Sequence, residues 1–502
     1  MKRLASLAAL SVLLVGTAAA QQQPLRLSLA DALARAEAAS PTIGLARAGV
    51  NSAHAEWLRT RSASLPQLSG SVSYTRTLAS QYSGFASSSS SVDSFPKPVN
   101  CGHYLPSPSL PIAARLDSLE HGLDCAANGS ALDFSNLPFG QKNNWTVGLS
   151  GSQSLLDPKI HGQLATARAG EERAGVELMA QRAQAMLDVA QAYLDVQLAE
   201  RLLEIADSTL VQAQRTFEQT RLERQVGNAA EFDQLRASVA RDNQNPIVIL
   251  RRAQRDQAVL RLRQLLDMPA NTLFTLVTPL GDTATSVPTP LAPQFAGIAD
   301  TAIAARAPVR EAAAALKASD GQVSAAKGAR LPTLSLSSAY ANIDYPSKVF
   351  SFDKFLTDWT IGVRMDVPIY TGGRLQAGVL SAEAAREASA MRVKQAQQQA
   401  QRDVQDVTLL LASAQAVWEA VQGTVAQATR AYAIAELRYR NGLSTLTEVG
   451  EARVQLGQAQ ANRAQAVRDF QVARIRVALL RDLPFGATGA VPSASTGAPG
   501  TQ

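Results

Sequence analysis

The amino-acid sequence predicts a mainly α-helical protein with a membrane β-barrel portion, built from a duplicated helix-strand-strand-helix-helix unit. Three observations carry this prediction. Landmark residues recur at a nearly constant offset along the 502-residue chain. The stretch 159–226 contains no proline, as an uninterrupted helix requires. Four segments alternate apolar and polar side chains over about ten residues, which is typical of transmembrane β-strands.

The first 20 residues have the pattern of a secretory signal peptide. Lys2 and Arg3 precede an apolar run from Leu4 to Val15, and the alanines at 18–20 supply a small-residue cleavage site. No cysteine follows this site, so a lipid anchor is not expected. Nor does any later apolar run reach the roughly 18 residues that a transmembrane helix needs. If the chain crosses a membrane, it is expected to do so with β-strands.

Composition argues against nucleic-acid binding and catalysis. The chain carries 48 Lys and Arg and 42 Asp and Glu, for a net charge of +6, and the charges are interspersed rather than gathered in a basic stripe. The four histidines do not form an H-E-x-x-H motif, and the sequence contains neither a G-x-S-x-G elbow nor a phosphate-binding loop. We therefore expect no nucleic-acid partner, no catalytic residue, no cofactor, no metal site and no enzymatic activity.

Landmarks occur in the same order in the two halves of the chain. The segment W-T-V-G at 145–148 recurs as W-T-I-G at 359–362, an offset of 214, and Gly227 recurs as Gly442, an offset of 215. Chance similarity between alanine-rich helices could mimic one match, but not several in register. The sequence therefore predicts an internal duplication.

The landmarks and the prolines set the expected boundaries. They are a signal peptide 1–20, a first repeat 21–269, a linker 270–295, a second repeat 296–483, and a tail 484–502 whose composition predicts disorder. The first repeat is expected to hold strands near 66–77 and 144–156 with a long loop 78–143 between them, a long helix 159–226 and a returning helix 229–268. The second is expected to hold strands near 332–343 and 358–369 and helices 374–440 and 444–482.

The helices are too long for a compact domain. At ~1.5 Å per residue, a helix over 159–226 extends about 100 Å. Two adjoining apolar stripes run along it, one through Val189 and Tyr193 and the other through Leu194 and Leu198. A helix with two stripes packs against neighbours on both sides, as in a wall of helices.

Four strands in one chain cannot close a barrel. The smallest bacterial barrels have about eight strands, and an open edge in lipid leaves backbone groups unpaired. The strands must therefore come from several copies of the chain. Three copies supply 12 strands, and a barrel of that width can hold an aqueous lumen.

Both cysteines, Cys101 and Cys125, lie in the long loop 78–143. A disulfide between them is the simplest interpretation for an exported chain. Metal binding is the less favoured alternative, because it would need further ligands beyond these two and the nearby His103 and His121.

Several motifs together resemble the TolC family of outer-membrane efflux proteins, over nearly the whole chain after the signal peptide. They are Ser40-Pro41, Leu65-Pro66, Leu331-Pro332, the segment VPIYTGG at 367–373 and, most specifically, YRNGLSTLTEVGEA at 439–452. The resemblance implies a homotrimer whose β-barrel sits in outer-membrane lipid and whose helices form a tunnel in the periplasm. It also implies two partners, a periplasmic adaptor (membrane fusion protein) and an inner-membrane pump, and an export function in multidrug efflux or type I secretion.

The same resemblance assigns roles near the closed inner end of the tunnel. Glu448 and Glu451 match a ring of carboxylates at the pore entrance, and rings of this kind make pores cation-selective. Tyr439 and Asp233 match the two sides of a link that closes the gate. At Ser444 the chain departs from the best-studied relatives, which have arginine there, so one closing salt bridge should be absent. Without the motif, the two glutamates would be an ordinary solvated helix face.

Two turns match the tips that contact the adaptor. They are Val226-Gly227-Asn228 and Asn441-Gly442-Leu443. Each glycine is equally expected as a helix C-cap in the left-handed conformation, and one residue can serve both roles.

A second class of function stays open at this point. The chain could be a periplasmic coiled-coil tether without a pore. Within the channel interpretation, multidrug efflux, metal efflux and protein secretion are all compatible with the sequence, and the exported substrate and the energy source of the pump are not encoded in it.

Overall fold

The structure is a computed structural model. It describes residues 25–78, 107–129, 143–227, 229–269, 271–280, 303–346 and 355–486, with side chains omitted for 125–129. The predicted signal peptide, most of the linker, nearly all of the tail and Cys101 fall outside these residues, and so does the predicted disulfide.

Sixteen elements are formed by the described residues. In chain order they are β1 (Leu25–Leu27), α1 (Leu29–Ala39), α2 (Pro41–Ser62), β2 (Gln67–Arg76), α3 (Ile112–Gly129), β3 (Asn143–Leu156), α4 (Pro158–Gln225), α5 (Glu231–Asp242), α6 (Gln244–Leu265), β4 (Phe274–Leu276), α7 (Ala307–Gly328), β5 (Thr333–Asp344), β6 (Leu356–Asp366), α8 (Arg374–Ala420), α9 (Thr424–Arg440) and α10 (Leu446–Leu479). The chain divides into two compact units. One comprises the described residues of Met1–Trp57, Ala165–Val323 and Leu380–Gln502, and the other those of Leu58–Leu164 and Ser324–Val379.

The second unit contains a four-stranded antiparallel sheet with the strand order β2-β3-β5-β6. Tyr74 lies opposite Trp145 in the β2–β3 register, and Tyr340 lies opposite Trp359 in the β5–β6 register. The rings of both pairs are in contact, with centroids 5.0 Å and 6.4 Å apart. Because directly opposite residues share a face, these aromatic pairs fix which face of the sheet is apolar.

That apolar face is exposed within the single chain. On β6, alternate residues from Trp359 to Met365 are 62–74% exposed, and the intervening side chains are Thr360, Gly362 and Arg364. On β2, exposed Leu68 and Val72 alternate with serines. Neither face of these two strands has the buried side chains of a water-soluble core.

The helical unit has its core around the middle of α4. Four of the residues there, Leu187, Val189, Tyr193 and Val196, are at most 1% exposed. They pack with residues of α1, α6 and α10 in one apolar cluster. Residues of both stripes that the sequence predicted on this helix are therefore in contact with neighbours.

A short parallel ladder that the sequence did not predict joins β1 and β4 beside this core. The Tyr193 hydroxyl donates to the carbonyl of Leu27 at 2.9 Å and accepts from the backbone N–H of Thr278 at 3.3 Å. A buried tyrosine needs a partner for its hydroxyl. Here the partners are backbone groups at the ends of the two strands.

In the helical unit the helices pack side by side in a row. The Arg241 guanidinium of α5 lies over the Phe217 ring of α4 at 4.3 Å. An ion pair between Asp195 and Arg468, 2.6 Å long, joins α4 to α10.

On the far side, α10 packs against α8 and α9. The rings of Trp418 and Phe470 stack with centroids 5.2 Å apart. The Arg453 guanidinium lies 5.8 Å from the centre of the Tyr432 ring. Near the turns α9 also contacts α4, because Tyr439 hydrogen-bonds with Thr220.

Two helices predicted as continuous are interrupted. The expected helix 229–268 is divided at Asn243 into α5 and α6. Proline is the third residue of α6, at Pro246, and it has no N–H to continue the bonding of the preceding turn. Proline is tolerated in the first turn of a helix, where the N–H groups have no partner within the helix.

The expected helix 374–440 is divided at 421–423 into α8 and α9. The N–H of Gln422 bonds to the carbonyl of Glu419, and that of Thr424 to Val421, so the hydrogen bonds tighten to the i→i−3 pattern. Gly423 lies at this point, and glycine is a poor helix former. The predicted loop 78–143 also differs, because it contains α3.

A buried ion pair holds the start of α7. Arg306 precedes this helix and pairs with Asp403 of α8 at 3.0 Å, with side chains only 2% and 3% exposed. Arg306 also donates to the carbonyls of Leu480 and Leu483 at 3.2 Å and 3.3 Å. Leu480 is the C-cap of α10 and Leu483 follows shortly after it, so Arg306 supplies donors where the helix itself no longer does.

No helix within the described ranges is both long enough and apolar enough to cross a membrane.

Candidate functional site

The site predicted from the sequence lies at the two turns that join α4 to α5 and α9 to α10. At the second turn α9 ends in a Schellman motif. The N–H of Gly442 bonds to the carbonyl of Tyr439 and the N–H of Leu443 to that of Arg438, both at 2.9 Å. Gly442 has a φ of +68°, a conformation that favours glycine. The glycine is therefore a helix C-cap, as one of the two interpretations expected.

The first turn is similar in its backbone. Gly227 has a φ of +83°, and its N–H bonds to the carbonyl of Arg224 at 3.0 Å. Asn228 lies outside the described residues. Val226 and Leu443 are about 70% exposed, so both turns present apolar side chains to the surroundings of the single chain.

The two turns differ in how the following helix begins. Thr445 is the N-cap of α10, and its hydroxyl accepts from the N–H of Glu448. The N-cap of α5 is Ala230, which has no side-chain oxygen. Instead, Arg224 reaches across the first turn to Glu231 at 3.3 Å and to Gln234 at 2.7 Å. Exposed charged contacts of this kind are weakened by salt, whereas a hydroxyl cap is not.

Glu448 and Glu451 are both exposed on the first turns of α10. Spaced three residues apart, they lie on one face of the helix. Both lie near the N-terminal end of helix α10, and the positive end of the helix dipole there favours their negative charge. In one chain they provide two carboxylates that solvent and cations can reach.

The Ser444 hydroxyl donates to Glu448 Oε2 at 2.8 Å. Ser444, which the resemblance predicts to leave one closing salt bridge absent, therefore contacts a carboxylate of its own chain. The sequence reading missed this contact, although an i,i+4 spacing between the two residues could have predicted it.

Tyr439 is half-buried between the two turns. Its hydroxyl hydrogen-bonds with the side chain of Thr220, which itself donates to the carbonyl of Thr216 at 2.9 Å. Partial burial raises the pKa of Tyr439, and the charges of Glu223 and Asp233 raise it further, against the opposing effect of the Thr220 hydrogen bond. Tyr439 and Asp233 are thus close enough to interact electrostatically, while a direct closing link between them stays a prediction.

Arg453 is a further residue of this region that sequence reasoning missed. Its Nη2 donates to Thr216 Oγ1 of α4 at 3.0 Å. It ties α10 to α4 two residues after Glu451. A cavity of about 470 Å³ adjoins it, and Arg236 and Glu451 are among the residues that line this cavity. Arg453 therefore holds this part of α10 to α4 within the chain.

Comparison with known proteins gives this geometry its context. The sequence matches the family described as outer membrane efflux protein over residues 122–267 and 298–480. It is 26% identical over 184 residues to nodulation protein T of Rhizobium leguminosarum bv. viciae, a match that covers 36% of this chain and 37% of that protein.

Solved structures share the fold. The chain resembles CusC with a TM-score of 0.67 and 21% identity, covering 90% of this chain and 91% of that one. It resembles the CmeC outer membrane channel of Campylobacter jejuni with a TM-score of 0.66 and 16% identity, covering 91% and 86%.

The family description names an outer-membrane efflux protein and not an enzyme. It confirms the predicted localisation, the predicted non-enzymatic character and the resemblance that the sequence motifs indicated. Since the match spans well over half of the residues, the chain belongs to the outer membrane efflux protein family.

Proposed function

We propose that the protein is a trimeric outer-membrane channel that exports small molecules, such as drugs and toxic compounds, or secreted substrates from the periplasmic side to the exterior. Three copies contribute four strands each to a 12-stranded barrel, and their helices form a tunnel in the periplasm. A periplasmic adaptor and an inner-membrane pump complete the path, with the pump supplying the energy.

The four-stranded sheet is the observation that carries this proposal. Its order is β2-β3-β5-β6, so among the described residues β2 and β6 each pair on one side only. In lipid an unpaired strand edge costs several kcal/mol for each backbone group left without a partner. Pairing β6 of one copy with β2 of the next removes both edges, and three copies are enough to close a barrel with an open lumen.

The exposed face of the sheet supports a lipid environment. Its side chains from Trp359 to Met365 are apolar and most of their surface is free. Tyr74 and Trp145 lie on the same face towards the end of the sheet, where the interfacial aromatic girdle of a membrane barrel is found. A water-soluble sheet would bury this face against another layer.

Element order supports the duplication. In each half a helix leads into two strands, and a long helix, a glycine turn and a returning helix follow. Gly227 and Gly442, which begin the two turns, both have positive φ. The offset of 215 residues therefore relates positions with the same backbone role, and the exposed turns are the proposed contacts of the adaptor.

The alternative is a periplasmic tether without a pore. The two proposals differ in the cell fraction that contains the protein and in the size of the particle that it forms. We expect extraction from the outer-membrane fraction by detergent as a heat-sensitive trimer, because each chain has two open sheet edges. The measurement that checks this is the apparent molecular mass of the extracted protein, compared between an unheated sample and a heated one. A freely soluble elongated monomer would favour the tether instead.

A further inference from the structure

The helix α3, which lies between β2 and β3 in the chain, carries an exposed apolar stripe. Four large apolar residues recur along it at spacings of four, three and four, and each is between 47% and 76% exposed. They are Ile112, Leu116, Leu119 and Leu123. Spacings of this kind place all four on one side of the helix.

The opposite side of α3 is the more covered one. The partly buried residues there are small, namely Ala114, Ser118 and Gly122. The side of the helix that faces solvent in a single chain is thus its apolar side. Burying this side against a partner is favourable, and an exposed apolar stripe of this kind marks a contact surface.

The spacing of the stripe is that of a coiled coil. In a heptad repeat labelled a to g, apolar residues occupy positions a and d, which follow one another after three and four residues. Ile112 and Leu119 then take position d, and Leu116 and Leu123 take position a. Leucine at a with isoleucine at d disfavours two strands and favours three or four. The pattern therefore indicates that α3 packs with copies of itself.

The charges beside the stripe are complementary in a parallel coil. There, position g of one helix faces position e of its neighbour, five residues further along. Arg115 occupies g and Glu120 occupies e, so the two have the required separation and opposite charges. Both side chains are exposed, and among the described residues neither forms an ion pair. Each is thus available to a neighbouring copy of α3.

A lipid surface suits this helix less well. Helices that lie on membranes are typically rich in lysine and arginine on their polar side. Arg115 is the one residue of either type among the described side chains of α3, against Asp117, Glu120 and Asp124. Charge therefore favours a second copy over lipid as the partner of the stripe.

From these observations we infer that the three α3 helices of a trimer form a parallel coiled coil that caps the outer opening of the barrel. The inference rests on the proposed trimer. Three copies that make one identical contact are related by the threefold axis, so the three helices point the same way and surround that axis. The barrel closes around the same axis. Exported substrate then leaves beside the coil, between its connections to the strands.

The chain is long enough for α3 to reach the axis. Residues 130–142 separate α3 from β3, and 13 residues extend at most about 45 Å. Twelve strands spaced ~4.8 Å apart and tilted by ~40° enclose a barrel with a radius of about 12 Å. A helix of 18 residues is only marginally stable alone. Joining three of them to one trimer raises their effective concentration and favours the coil.

Cysteine cross-linking of the full-length protein tests the cap. In a chain with Cys101→Ser and Cys125→Ser, Leu116→Cys places three thiols around the axis, of which two can join. Oxidation of the native trimer should therefore give a covalent dimer after denaturation without reductant. Asp117→Cys is the matched control, because it is the next residue but lies at position b, and the Asp117 side chain is 72% exposed. It should stay monomeric.

Charge reversal provides a second measurement. Adding Arg115→Glu to the Leu116→Cys chain should lower the yield of dimer at short oxidation times at least twofold, because like charges then face each other. Adding Glu120→Arg as well should restore the yield, since the pair is then reversed rather than broken. If the chain without natural cysteines does not assemble, the same variants are compared with wild type in a chain that keeps Cys101 and Cys125.

Three results would overturn the cap. Equal cross-linking of Leu116→Cys and Asp117→Cys would show collisions without a defined contact. A native trimer in which Leu116→Cys stays monomeric and reacts with a water-soluble thiol reagent would show that nothing covers the stripe. Protection from the reagent without a dimer would indicate lipid as the partner. In all three the trimer and its export function would stand, whereas a native monomer would contradict the proposed function itself.

Discussion

Replacing Asp403 with alanine should destabilise the protein by about 3–5 kcal/mol, the cost of leaving a buried charge without its partner. Arg306 is 98% buried and would keep its positive charge, held between the carbonyls of Leu480 and Leu483. Those carbonyls are neutral and cannot replace the carboxylate. We expect a lower free energy of unfolding in denaturant and a reduced yield from the outer membrane.

A matched control joins the same two helices. Asp320 of α7 pairs with Arg386 of α8 at 2.5 Å, but both side chains are about half exposed. Solvent screens such a pair, so Asp320→Ala should cost at most about 1 kcal/mol. If Asp403→Ala costs no more than Asp320→Ala, the buried pair does not stabilise this part of the molecule in the way described here.

Replacing Glu448 and Glu451 together with glutamine should abolish block by a trivalent cation and reduce cation selectivity. Both side chains are exposed, and a trimer brings six carboxylates around one axis. Charges facing one another in a narrow lumen are less screened than charges on an open surface. Glutamine keeps the size of the side chain, and in the part of the chain that the structure describes no hydrogen bond or ion pair of either residue joins α10 to another helix. Assembly should therefore be unchanged while single-channel recordings change.

A contrasting variant separates selectivity from gating. Tyr439→Phe with Asp233→Ala removes the proposed closing link and leaves the ring intact. The channel should open more often and keep its selectivity. Unchanged selectivity in the double glutamine variant would refute the ring and return Glu448 and Glu451 to a solvated helix face.

The parts of the fold that depend on a local sequence pattern could be predicted from the sequence. Alternation along Leu68–Tyr74 and Trp359–Val367 indicated strands, and the structure has β2 and β6 there. The absence of proline indicated the long helix that forms α4. Local signals failed where the cause is not local. β1 and β4 are three residues each, too short for a pattern, and they form because each pairs with the other.

The interruptions of the helices show two kinds of failure. Pro246 was visible in the sequence and should have predicted a new helix start near Asn243. At 421–423 the only local signal is Gly423, and glycine occurs inside many helices. A single glycine is therefore too weak a local signal to predict this break.

The site residues also divide into those that a local sequence pattern predicts and those that depend on distant parts of the chain. The turn at Gly442 and the two exposed glutamates could be recognised from the motif 439–452, and the turn at Gly227 from the repeat offset of 215 residues. Thr220, the hydrogen-bond partner of Tyr439, lies more than 200 residues away in the chain and has no signal of its own. Arg306 is similar, since a charged residue before a helix is usually on the surface. Only the distant Asp403 explains its burial.

The most direct test of the whole account is the current through the purified protein in a planar lipid bilayer. A trimer with a closed barrel and a carboxylate-lined entrance should give discrete single-channel steps that favour cations, and a trivalent cation should block them from one side. Detergent-solubilised trimers that insert into the bilayer yet carry no current would contradict the proposal that this chain forms a channel.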